Sequence, residues 1–572
     1  MAIFETWSSR DIRPAIRQVP GTPALLTSII EGRGIHTDEE RRRFFEPELS
    51  DLHDPGAIHG MDFACERIAR AIRDREFILI YGDYDVDGVT SIVLLQTVLR
   101  ALGADANFVV PLRLVDGYGL KMEVIERVLR ERNVRLVITV DCGITSVEPV
   151  RRAIERGIDV IITDHHLPPG SLPTAAAVLN PKQDGCTYPY KELAGVGVAF
   201  KLCCELLRRA SNRMSVQSLL KIAAIGTIAD VAPLTGENRT IVLLGLRALA
   251  DVRNPGLRVL LRTLGMYGRP PRASEVAFLI GPRINAAGRL DSADTAIRLF
   301  EAGSEQDAYP IVAELNRMNG ERKSVEKAVL GEAYAMAEES GLPRILVLSG
   351  NGWHRGVLGL CASRVAQRYH RPTLMISVDG DDAVGSGRSI GGVNLHGLLE
   401  SVSDHFQHFG GHDYACGFSL PTSRIESLKK ELNLRAASID ERSFRRELQF
   451  DGVVTLRDLD EEFFQCHQAL EPFGAGNTQP VFTARNLTVR ARREFSPDCH
   501  EIQLGDGTGE ISAVVWPSEK ALLPILLGEQ EISVAFQLEP DRYASRGYRM
   551  TVIDARPGAF TDARNESGIG AV

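Results

Sequence analysis

GDYDVDG, residues 82–88, sets three aspartates at alternate positions directly after the apolar run FILIY, residues 77–81. On an extended chain, alternate side chains point to the same face, so these like charges would crowd together. Such crowding is unfavourable without a counter-charge. The sequence therefore predicts that a positive group lies among Asp83, Asp85 and Asp87.

Strand-like and helix-like segments alternate from residue 76 onwards. Three further apolar runs follow FILIY and are separated from one another by helical patterns: NFVVPLR (107–113), RLVITV (135–140) and DVIIT (159–163). This alternation is typical of a parallel α/β sheet, in which ligands bind at the carboxyl ends of the strands. All four runs end in charged groups, namely the three aspartates, Arg113, Asp141, and the triplet Asp164, His165 and His166. We therefore expect these charged side chains to lie together along the carboxyl edge of the sheet, as one polar rim.

The residue types at this rim indicate a metal centre. Carboxylates with imidazole suit Mn²⁺ or Mg²⁺, and two ions roughly 3.5–4 Å apart would neutralise the acids and share a water. The chain must bend near Gly88 for all three aspartates to reach such a pair of ions. We expect one of the three to contact the ligands instead of the ions. A calcium-binding EF-hand loop is the alternative, but its twelfth position, counted from Asp83, is the apolar Leu94.

Further candidates have weaker signals of their own. Asp230 ends the helical run IGTIAD, where an aspartate is usually a cap, although small neighbours would allow close approach to the sheet. The segment GPRINAAGRL (281–290) supplies arginine forks suited to phosphate or to pairing with the acids. GSGRS (385–389) resembles a backbone nest for phosphate or a plain turn, and FGGH (409–412) is more typical of a turn. The candidates in these three segments are Arg283, Asn285, Arg289, Ser386, Arg388 and His412.

The remaining pattern predicts an α/β protein of several domains. Residues 1–75 have a helical pattern and are expected to pack on the first α/β domain, whose rhythm begins at 76. The chain becomes helical from about 195, and the α/β rhythm restarts in a smaller domain at 344–450. A polar helical connector lies between the two α/β domains at 305–343. Short strands with glycine turns after about 475 predict a small barrel, which with its lead-in occupies 451–560, and 561–572 is expected to be a disordered tail.

Composition limits the function classes only broadly. The net charge of −9 does not exclude a nucleic-acid partner, because active-site acids can outweigh a basic groove. No apolar run approaches the roughly 20 residues that span a membrane, and no secretory signal is expected at the N-terminus. Nine scattered cysteines without a CxxC pair favour a reducing cytoplasm.

Taken in order, the motifs DYDVDG, VDCG, DHH and GTIADVAPL resemble the four phosphoesterase motifs of the DHH superfamily. NAAGR, GSGRS and FGGH are similar to its DHHA1 companion domain. The whole set resembles the RecJ family of bacterial single-strand exonucleases over nearly the entire chain. The resemblance implies a DHH domain at 76–304, a DHHA1 domain at 344–450 and an OB-like nucleic-acid-binding domain at 451–560.

The resemblance also implies an activity. It is 5′-to-3′ hydrolysis of single-stranded DNA to 5′-mononucleotides with two Mn²⁺ or Mg²⁺ ions, in DNA repair and recombination. The implied metal ligands are Asp83, Asp85, Asp87, Asp141, His165 and Asp230. Asp164 would orient its neighbouring histidine, and His166 would contact the scissile phosphate or assist proton transfer.

Substrate contacts are implied in the same way. Arg113, Arg283, Ser386 and Arg388 would bind the 5′ phosphate, and His412 would face the strand; Asn285 and Arg289 complete the expected substrate-binding set. Candidates for holding the strand in the barrel are Trp516, Arg542, Tyr543, Arg546 and Tyr548, although an ordinary exposed hairpin is an equal alternative. A helicase and a single-strand-binding protein are implied as partners, and we expect a monomer.

Two other functions stay open from the residues. The first is a DHH-type phosphoesterase for short oligonucleotides, cyclic dinucleotides or pyrophosphate, although such relatives are typically shorter and lack the strand-rich C-terminal region. The second is a non-catalytic scaffold in a replication assembly, which would be expected to have lost acids or the DHH pair. Every expected ligand is present here.

Overall fold

A computed structural model of the chain describes residues 3–10, 22–113, 115–117, 119–290, 292–528, 530–544 and 546–560. The tail expected at 561–572 lies outside the described residues. The chain divides into two compact units. The smaller contains residues 1–45, 438–471 and 478–572, and the larger contains 46–437 and 472–477. In the described part of the chain, no helix has both the length and the apolar character needed to cross a membrane.

The N-terminal segment differs from the single helical stretch predicted for residues 1–75. Its first elements are strand β1 (Thr6–Ser9) and helices α1 (Ala24–Gly32) and α2 (Asp38–Phe45). β1 pairs in parallel with a strand that begins at Glu447. Residues 1–45 therefore belong to the smaller unit, and only residues 46–75 join the first α/β domain.

The first α/β domain contains a five-stranded parallel sheet. Its elements are α3 (Met61–Arg73), β2 (Phe77–Gly82), α4 (Val86–Ala101), β3 (Ala106–Val109), α5 (Met122–Leu129), β4 (Val134–Val140), α6 (Val147–Glu155), β5 (Asp159–Thr163) and β6 (Ala177–Leu179). The strand order is β3-β2-β4-β5-β6, with every neighbouring pair parallel. All six residues of β2 are buried, as expected for a parallel strand covered on both faces. The three-residue β6 adds an edge strand to the four predicted.

A helical layer covers this sheet and leads into the connector. Its elements are α7 (Gly195–Arg209), α8 (Val216–Ala229), α9 (Gly236–Leu249), α10 (Pro255–Thr263), α11 (Ala273–Glu275), a π-helical turn (Val276–Ile280), α12 (Gly281–Leu290), α13 (Asp294–Glu301) and α14 (Glu305–Glu339). Apolar side chains of α4, α7 and α8 form one buried core with the sheet. The 35-residue α14 occupies the segment predicted as the connector.

The second α/β domain has a mixed sheet. Its elements are β7 (Leu346–Asn351), α15 (Leu358–Tyr369), β8 (Thr373–Asp379), β9 (Asp382–Arg388), α16 (Leu395–Glu400), β10 (His408–His412), β11 (Ala415–Pro421) and α17 (Ile425–Ala436). The order is β10-β11-β9-β8-β7, with only β7 and β8 parallel. The expected glycine-serine nest is wrong, because Ser386 and Arg388 lie on the interior strand β9.

The smaller unit contains a closed barrel. Its elements are β12 (Glu447–Phe450), β13 (Gly452–Val453), α18 (Glu461–Ala469), β14 (Phe482–Ser496), β15 (Cys499–Gly505), β16 (Glu510–Val515), α19 (Leu523–Leu526), β17 (Ile532–Pro540) and β18 (Tyr548–Pro557). Strand β14 pairs with both β15 and β17, which closes a ring of five strands in the order β14-β15-β16-β18-β17. This is the predicted barrel, and closure removes its exposed edges.

Candidate active site

The three clustered aspartates lie in a turn from strand to helix. Strand β2 ends at Gly82 and α4 begins at Val86, so the expected bend comes at Tyr84 and Asp85. The Asp85 carboxylate caps α4, because its Oδ1 accepts hydrogen bonds from the backbone N–H groups of Asp87 (2.9 Å) and Gly88 (3.1 Å). A Cβ at position 88 would lie 2.3 Å from the carbonyl oxygen of Asp83. Glycine therefore lets the helix start fold back onto Asp83.

Asp87 points from the first turn of α4 to the start of α7. Its two carboxylate oxygens accept hydrogen bonds from the backbone N–H groups of Gly195 and Val196, each at 2.7 Å. A helix N-terminus favours negative charge. Burial and the charge of Asp85 nevertheless raise the pKa of Asp87 to about 7. The carboxylate is thus fixed in place but close to protonation at neutral pH.

Asp141 follows strand β4 in an unusual backbone conformation. Its φ of 59° lies in the left-handed region, which costs on the order of 1 kcal/mol or more for a residue other than glycine. The N–H of Asp141 donates to the carbonyl oxygen of Thr163 at 3.0 Å. Gly195 lies against the side chain, since a Cβ there would be 2.6 Å from Asp141 Oδ1. The fold therefore holds this carboxylate in one orientation.

Asp164 holds the loop that follows β5. Its Oδ1 accepts from the N–H groups of His165 (2.8 Å) and His166 (3.1 Å) and lies 2.7 Å from His166 Nδ1, while Oδ2 accepts from Ile144 N–H at 2.9 Å. Burial raises the pKa of Asp164, but the hydrogen bond and charge of His166 outweigh it and leave the pKa below its usual value. For His166, burial lowers the pKa, but Asp164 raises it above the ordinary value. Asp164 therefore orients the His166 ring.

His165 faces the carboxylates rather than Asp164. Its Nε2 lies 3.2 Å from Asp141 Oδ1 and 3.8 Å from Asp87 Oδ2, and its Nδ1 lies 3.9 Å from Asp230 Oδ2. Burial lowers the pKa of His165 to about 3, so the ring is neutral. His165 Nε2, Asp141 Oδ1 and Asp83 Oδ1 are buried without a hydrogen-bond partner among the residues that the structure describes. Buried polar atoms need a partner.

A divalent cation fits this requirement. Three sets of side chains have ligand atoms within 4.8 Å of one another: Asp83 with Asp85 and Asp141, Asp87 with His165 and Asp230, and Asp141 with His165 and His166. Burial, with repulsion between neighbouring acids, holds the pKa of Asp83 and Asp141 well above their usual range and raises that of Asp230 to about 9. The structure thus brings all six expected ligands together. Their oxygen and imidazole donors suit Mn²⁺ or Mg²⁺.

Three arginines lie beside the acidic cluster without a carboxylate partner. Arg113 stacks over the Tyr84 ring, with its Cζ 4.8 Å from the ring centroid. Burial lowers the pKa of Arg289 to about 10, and the charges of Arg113 and Arg388 add to the fall. The pKa of Arg388 is lowered by burial and by Arg113. Across the described ranges none of the three has a carboxylate oxygen within 4.0 Å, so their charges are available to bind an anion.

The start of α15 lies against these arginines. We call the site formed by Arg113, Arg289, Ser386 and Arg388 the anion pocket. Arg388 Nη1 lies 3.3 Å from Ser386 Oγ and donates to the Gly387 carbonyl oxygen at 2.8 Å. A Cβ at Gly359, in the first turn of α15, would be 3.1 Å from Arg388 Nη2 and 3.2 Å from Ser386 Oγ. The positive end of a helix therefore adds to the arginine charges.

Two predicted substrate contacts have other partners. Arg283 Nε donates to Asn316 Oδ1 at 2.7 Å and Nη1 donates to the Leu279 carbonyl oxygen at 2.6 Å, so this arginine faces α14 and not the anion pocket. Asn285 Oδ1 accepts from Val86 N–H at 3.2 Å and supports the start of α4. Arg283 is thus directed toward α14, whereas Arg289 lies close enough to Arg113 and Arg388 for their charges to lower its pKa.

His412 and Arg322 differ in their surroundings, and only His412 is among the residues predicted from the sequence. His412 is exposed at the end of β10, where it pairs with Ala415. Arg322 of α14 is buried, is paired with Glu326 at 2.9 Å, and lies close enough to lower the pKa of Arg289. The sequence gives no sign of this position, because a single arginine in a polar helical stretch is normally exposed.

Only part of the predicted strand-holding set of the barrel is available to a ligand. Tyr548 is buried, bonds to the Leu459 carbonyl oxygen and stacks on Phe464. Arg546 donates to the same carbonyl at 2.8 Å. The burial of Tyr548 contradicts its predicted role, whereas Arg546 is half-buried and its role stays a prediction. Tyr543 is 82% exposed, with Arg542 over its ring, while Trp516 lies edge-on to Phe495.

Comparisons with known proteins agree with this architecture. Residues 77–227 match the DHH family, N-terminal domain, residues 342–438 match the DHHA1 domain, and residues 450–553 match the RecJ OB domain. These matches confirm the predicted fold class: a parallel-sheet DHH domain, a smaller α/β DHHA1 domain and a C-terminal OB-like domain.

Several curated relatives share one name. The single-stranded-DNA-specific exonuclease RecJ of Salmonella typhimurium is 32% identical over 93% of this chain and 95% of its own length. Its namesake from Bacillus subtilis is 37% identical over 86% of this chain, and the chain spans 62% of that relative's length. The crystal structure of RecJ from Thermus thermophilus in complex with Mn²⁺ has a TM-score of 0.83 and 28% identity over 97% of this chain and 80% of that one. The Mg²⁺ complex of the same protein has a TM-score of 0.77 and 26% identity, covering 97% and 79%.

Proposed function

Since the chain belongs to the RecJ family of single-stranded-DNA-specific exonucleases, we propose that it removes 5′-mononucleotides from the 5′ end of single-stranded DNA by metal-dependent hydrolysis. One observation carries this proposal: a buried cluster of acids with orphaned ligand atoms lies beside three arginines that have no carboxylate partner in the described structure. A cluster of this kind suits divalent ions, and the anion pocket suits a terminal phosphate. Together they favour cleavage at a fixed distance from a 5′ end.

The residues that would hold two ions are Asp83, Asp85, Asp87, Asp141, His165 and Asp230. Bound divalent ions supply a water nucleophile at neutral pH and stabilise the charge on the attacking and leaving oxygens. The protein contributes rigid placement of the ligands. Hydrogen bonds from the start of α7 fix Asp87, and the left-handed backbone at residue 141 aims Asp141 at His165.

His166 suits a contact with the scissile phosphate. Its ring is oriented by Asp164, which also raises its pKa above the ordinary value. A histidine with a raised pKa carries more positive charge at neutral pH and can hydrogen-bond a phosphate oxygen or move a proton. Asp164 itself uses both oxygens for hydrogen bonds, one to His165 in its own loop and one to Ile144 N–H after β4, which leaves it a positioning role.

The anion pocket would bind the 5′ phosphate and thereby set which bond is cleaved. Arginine forks match the geometry of phosphate oxygens, and the N-terminal turn of α15 favours negative charge. His412 would approach the strand from β10. The barrel would hold the incoming strand through stacking and backbone contacts, with Trp516, Arg542 and Tyr543 as the contacting residues.

The cellular setting follows from the same family. Work in DNA repair and recombination suits a single-strand exonuclease, with a helicase and a single-strand-binding protein as partners and a monomer as the acting form. The nine cysteines form no disulfide among the described residues, in keeping with a reducing cytoplasm.

The test is a product assay with a 5′-phosphorylated single strand labelled at its 3′ end, incubated with Mn²⁺, with Mg²⁺ or with chelator. We expect a ladder that shortens from the 5′ end only when metal is present. A blunt duplex of the same sequence serves as the control and stays intact. An intact single strand under all metal conditions would contradict the proposal, and cleavage restricted to dinucleotides would favour the small-substrate phosphoesterase.

A further inference from the structure

The carboxyl ends of the parallel sheet carry charges in a definite spatial order. Arg113 follows the edge strand β3, the three clustered aspartates follow β2, Asp141 follows β4 and the DHH triplet follows β5. The opposite edge strand, β6, ends at Leu179 and is followed by Asn180 and Lys182. The rim therefore runs from a cation through the acids and histidines to a second cation, across four interstrand spacings of roughly 4.8 Å each.

Lys182 is tied directly to the DHH loop. The buried side chain of Asn180 donates from Nδ2 to the His166 carbonyl oxygen at 2.8 Å and accepts at Oδ1 from Lys182 N–H at 2.8 Å. Lys182 thus lies beside the acidic cluster on the side away from Arg113.

A pocket opens next to this lysine. Its cavity volume is about 530 Å³, and its lining includes Leu167, Lys182, Lys191 and Glu192. Leu167, the residue after the DHH triplet, is 64% exposed and offers an apolar surface to a sugar or base. The Lys182 ammonium pairs at 3.2 Å with Glu192, whose side chain is half exposed. A solvated ion pair of this kind contributes little, about 1 kcal/mol or less, so a phosphate can replace the carboxylate.

We propose that this pocket binds the nucleotide on the 3′ side of the cleaved bond, with Lys182 contacting that nucleotide's 3′ phosphate. The inference rests on the proposed exonuclease function, which puts the 5′ phosphate in the anion pocket and the scissile phosphate at the acids. A strand laid along the rim in that direction brings its next phosphate to β6, where Lys182 lies. The two edge strands thus supply one cation each, on either side of the reacting bond.

The test compares two short substrates. A 5′-phosphorylated dinucleotide has the scissile phosphate but lacks the next one, whereas a 5′-phosphorylated trinucleotide has both. With Mn²⁺, the wild-type kcat/KM for release of the first nucleotide should be about tenfold higher for the trinucleotide, the effect of one charge-assisted hydrogen bond. Lys182→Ala should reduce this ratio to about one, and Lys182→Arg should keep most of it.

Two controls make the outcome decisive. Lys221→Ala, which removes a lysine of α8 that bonds to the Asp251 carbonyl oxygen, should keep the wild-type ratio. A trinucleotide whose second phosphodiester is a neutral methylphosphonate should behave as the dinucleotide does in the wild type. An unchanged ratio in Lys182→Ala would overturn the Lys182 assignment alone. Failure of the wild type to cleave either substrate would overturn the exonuclease function and this inference with it.

Discussion

His165 Nε2 lies 3.2 Å from Asp141 Oδ1, and neither atom has a hydrogen-bond partner among the residues that the structure describes. Burial keeps the imidazole neutral, and burial with repulsion between the acids raises the pKa of Asp87 to about 7 and that of Asp230 to about 9, which favours their protonated forms when no cation is bound. A bound cation would replace those protons. Metal binding and proton release should therefore be linked.

Mn²⁺ affinity should rise with pH. For one carboxyl with a pKa of about 7, competition with a proton weakens metal binding about tenfold between roughly pH 8 and pH 6. Calorimetric titration in two buffers of different ionisation enthalpy would measure both the affinity and the protons released. Equal affinity at both pH values without proton release would contradict this reading of the site.

Thermal stability of the metal-free protein should show the opposite pH dependence. The pKa of Asp87 is raised on folding, so its contribution to stability is fully present below the unfolded pKa and is lost as the pH rises through about 7. We expect Tm to fall between about pH 6 and pH 8 in chelator. Saturating Mn²⁺ should remove most of this fall, because the bound ion stabilises the ionised acids.

Gly195→Ala should weaken metal binding. The new Cβ would lie 2.6 Å from Asp141 Oδ1, so the carboxylate must move or the start of α7 must shift. Disturbing a group that orients a metal ligand typically costs about 10–100-fold in affinity or activity. The matched control is Gly331→Ala on α14, where a Cβ meets nothing within 4 Å. A normal Mn²⁺ affinity in Gly195→Ala would show that Asp141 is not held in this way.

The sequence located the acids because they follow apolar runs, and strand ends of a parallel sheet share one rim. The sequence does not show which of Arg283 and Arg289 faces the anion pocket. Both lie on α12, six residues and therefore roughly 120° apart around the helix, and only the packing of α12 against α14 decides which one faces the pocket. Asp230 was a weak candidate for the same reason, since its distance from His165 depends on how α8 packs on the sheet.

Two local predictions failed because distant residues determine the structure. GSGRS has the composition of a turn, yet it forms an interior strand whose glycines make room for neighbours. A Cβ at Gly385 would lie 2.1 Å from the Phe418 ring. β1 pairs with β12 more than 400 residues later, and Asp554 anchors this segment by accepting from Trp7 Nε1 at 2.8 Å. Contacts of such long range leave no pattern in the local sequence.

Asp164→Asn should lower the rate of hydrolysis more than it lowers metal affinity. The neutral amide removes the charge that raises the pKa of His166, so burial would leave that pKa below its ordinary value. We expect kcat to fall by about 10²-fold or more, the usual scale for losing an acid–base or phosphate-binding group. The Mn²⁺ affinity should change less than in Asp141→Asn. A parallel loss of affinity and kcat would indicate that Asp164 serves the metals instead.

Arg388→Ala and Arg283→Ala form a matched pair for the anion pocket. Arg388 lies beside Ser386 and the start of α15 without a carboxylate partner in the described structure, whereas Arg283 bonds to Asn316 at 2.7 Å on another face. Loss of a charged hydrogen bond to phosphate lowers kcat/KM for the phosphorylated strand by about 10–100-fold. Arg388→Ala should therefore lose most of the preference for a 5′-phosphorylated over a 5′-hydroxyl strand, and Arg283→Ala should keep it.

The measurement is kcat/KM on the two strands for each variant, with Mn²⁺ affinity as the control for an intact site. If Arg283→Ala lost the preference and Arg388→Ala kept it, the 5′ phosphate would bind along α14 and not at β9. If both variants kept it, the three arginines would serve a different anion. If Arg388→Ala loses the preference for the 5′-phosphorylated strand and Arg283→Ala keeps it, the result agrees with a pocket that contains Arg289 and not Arg283.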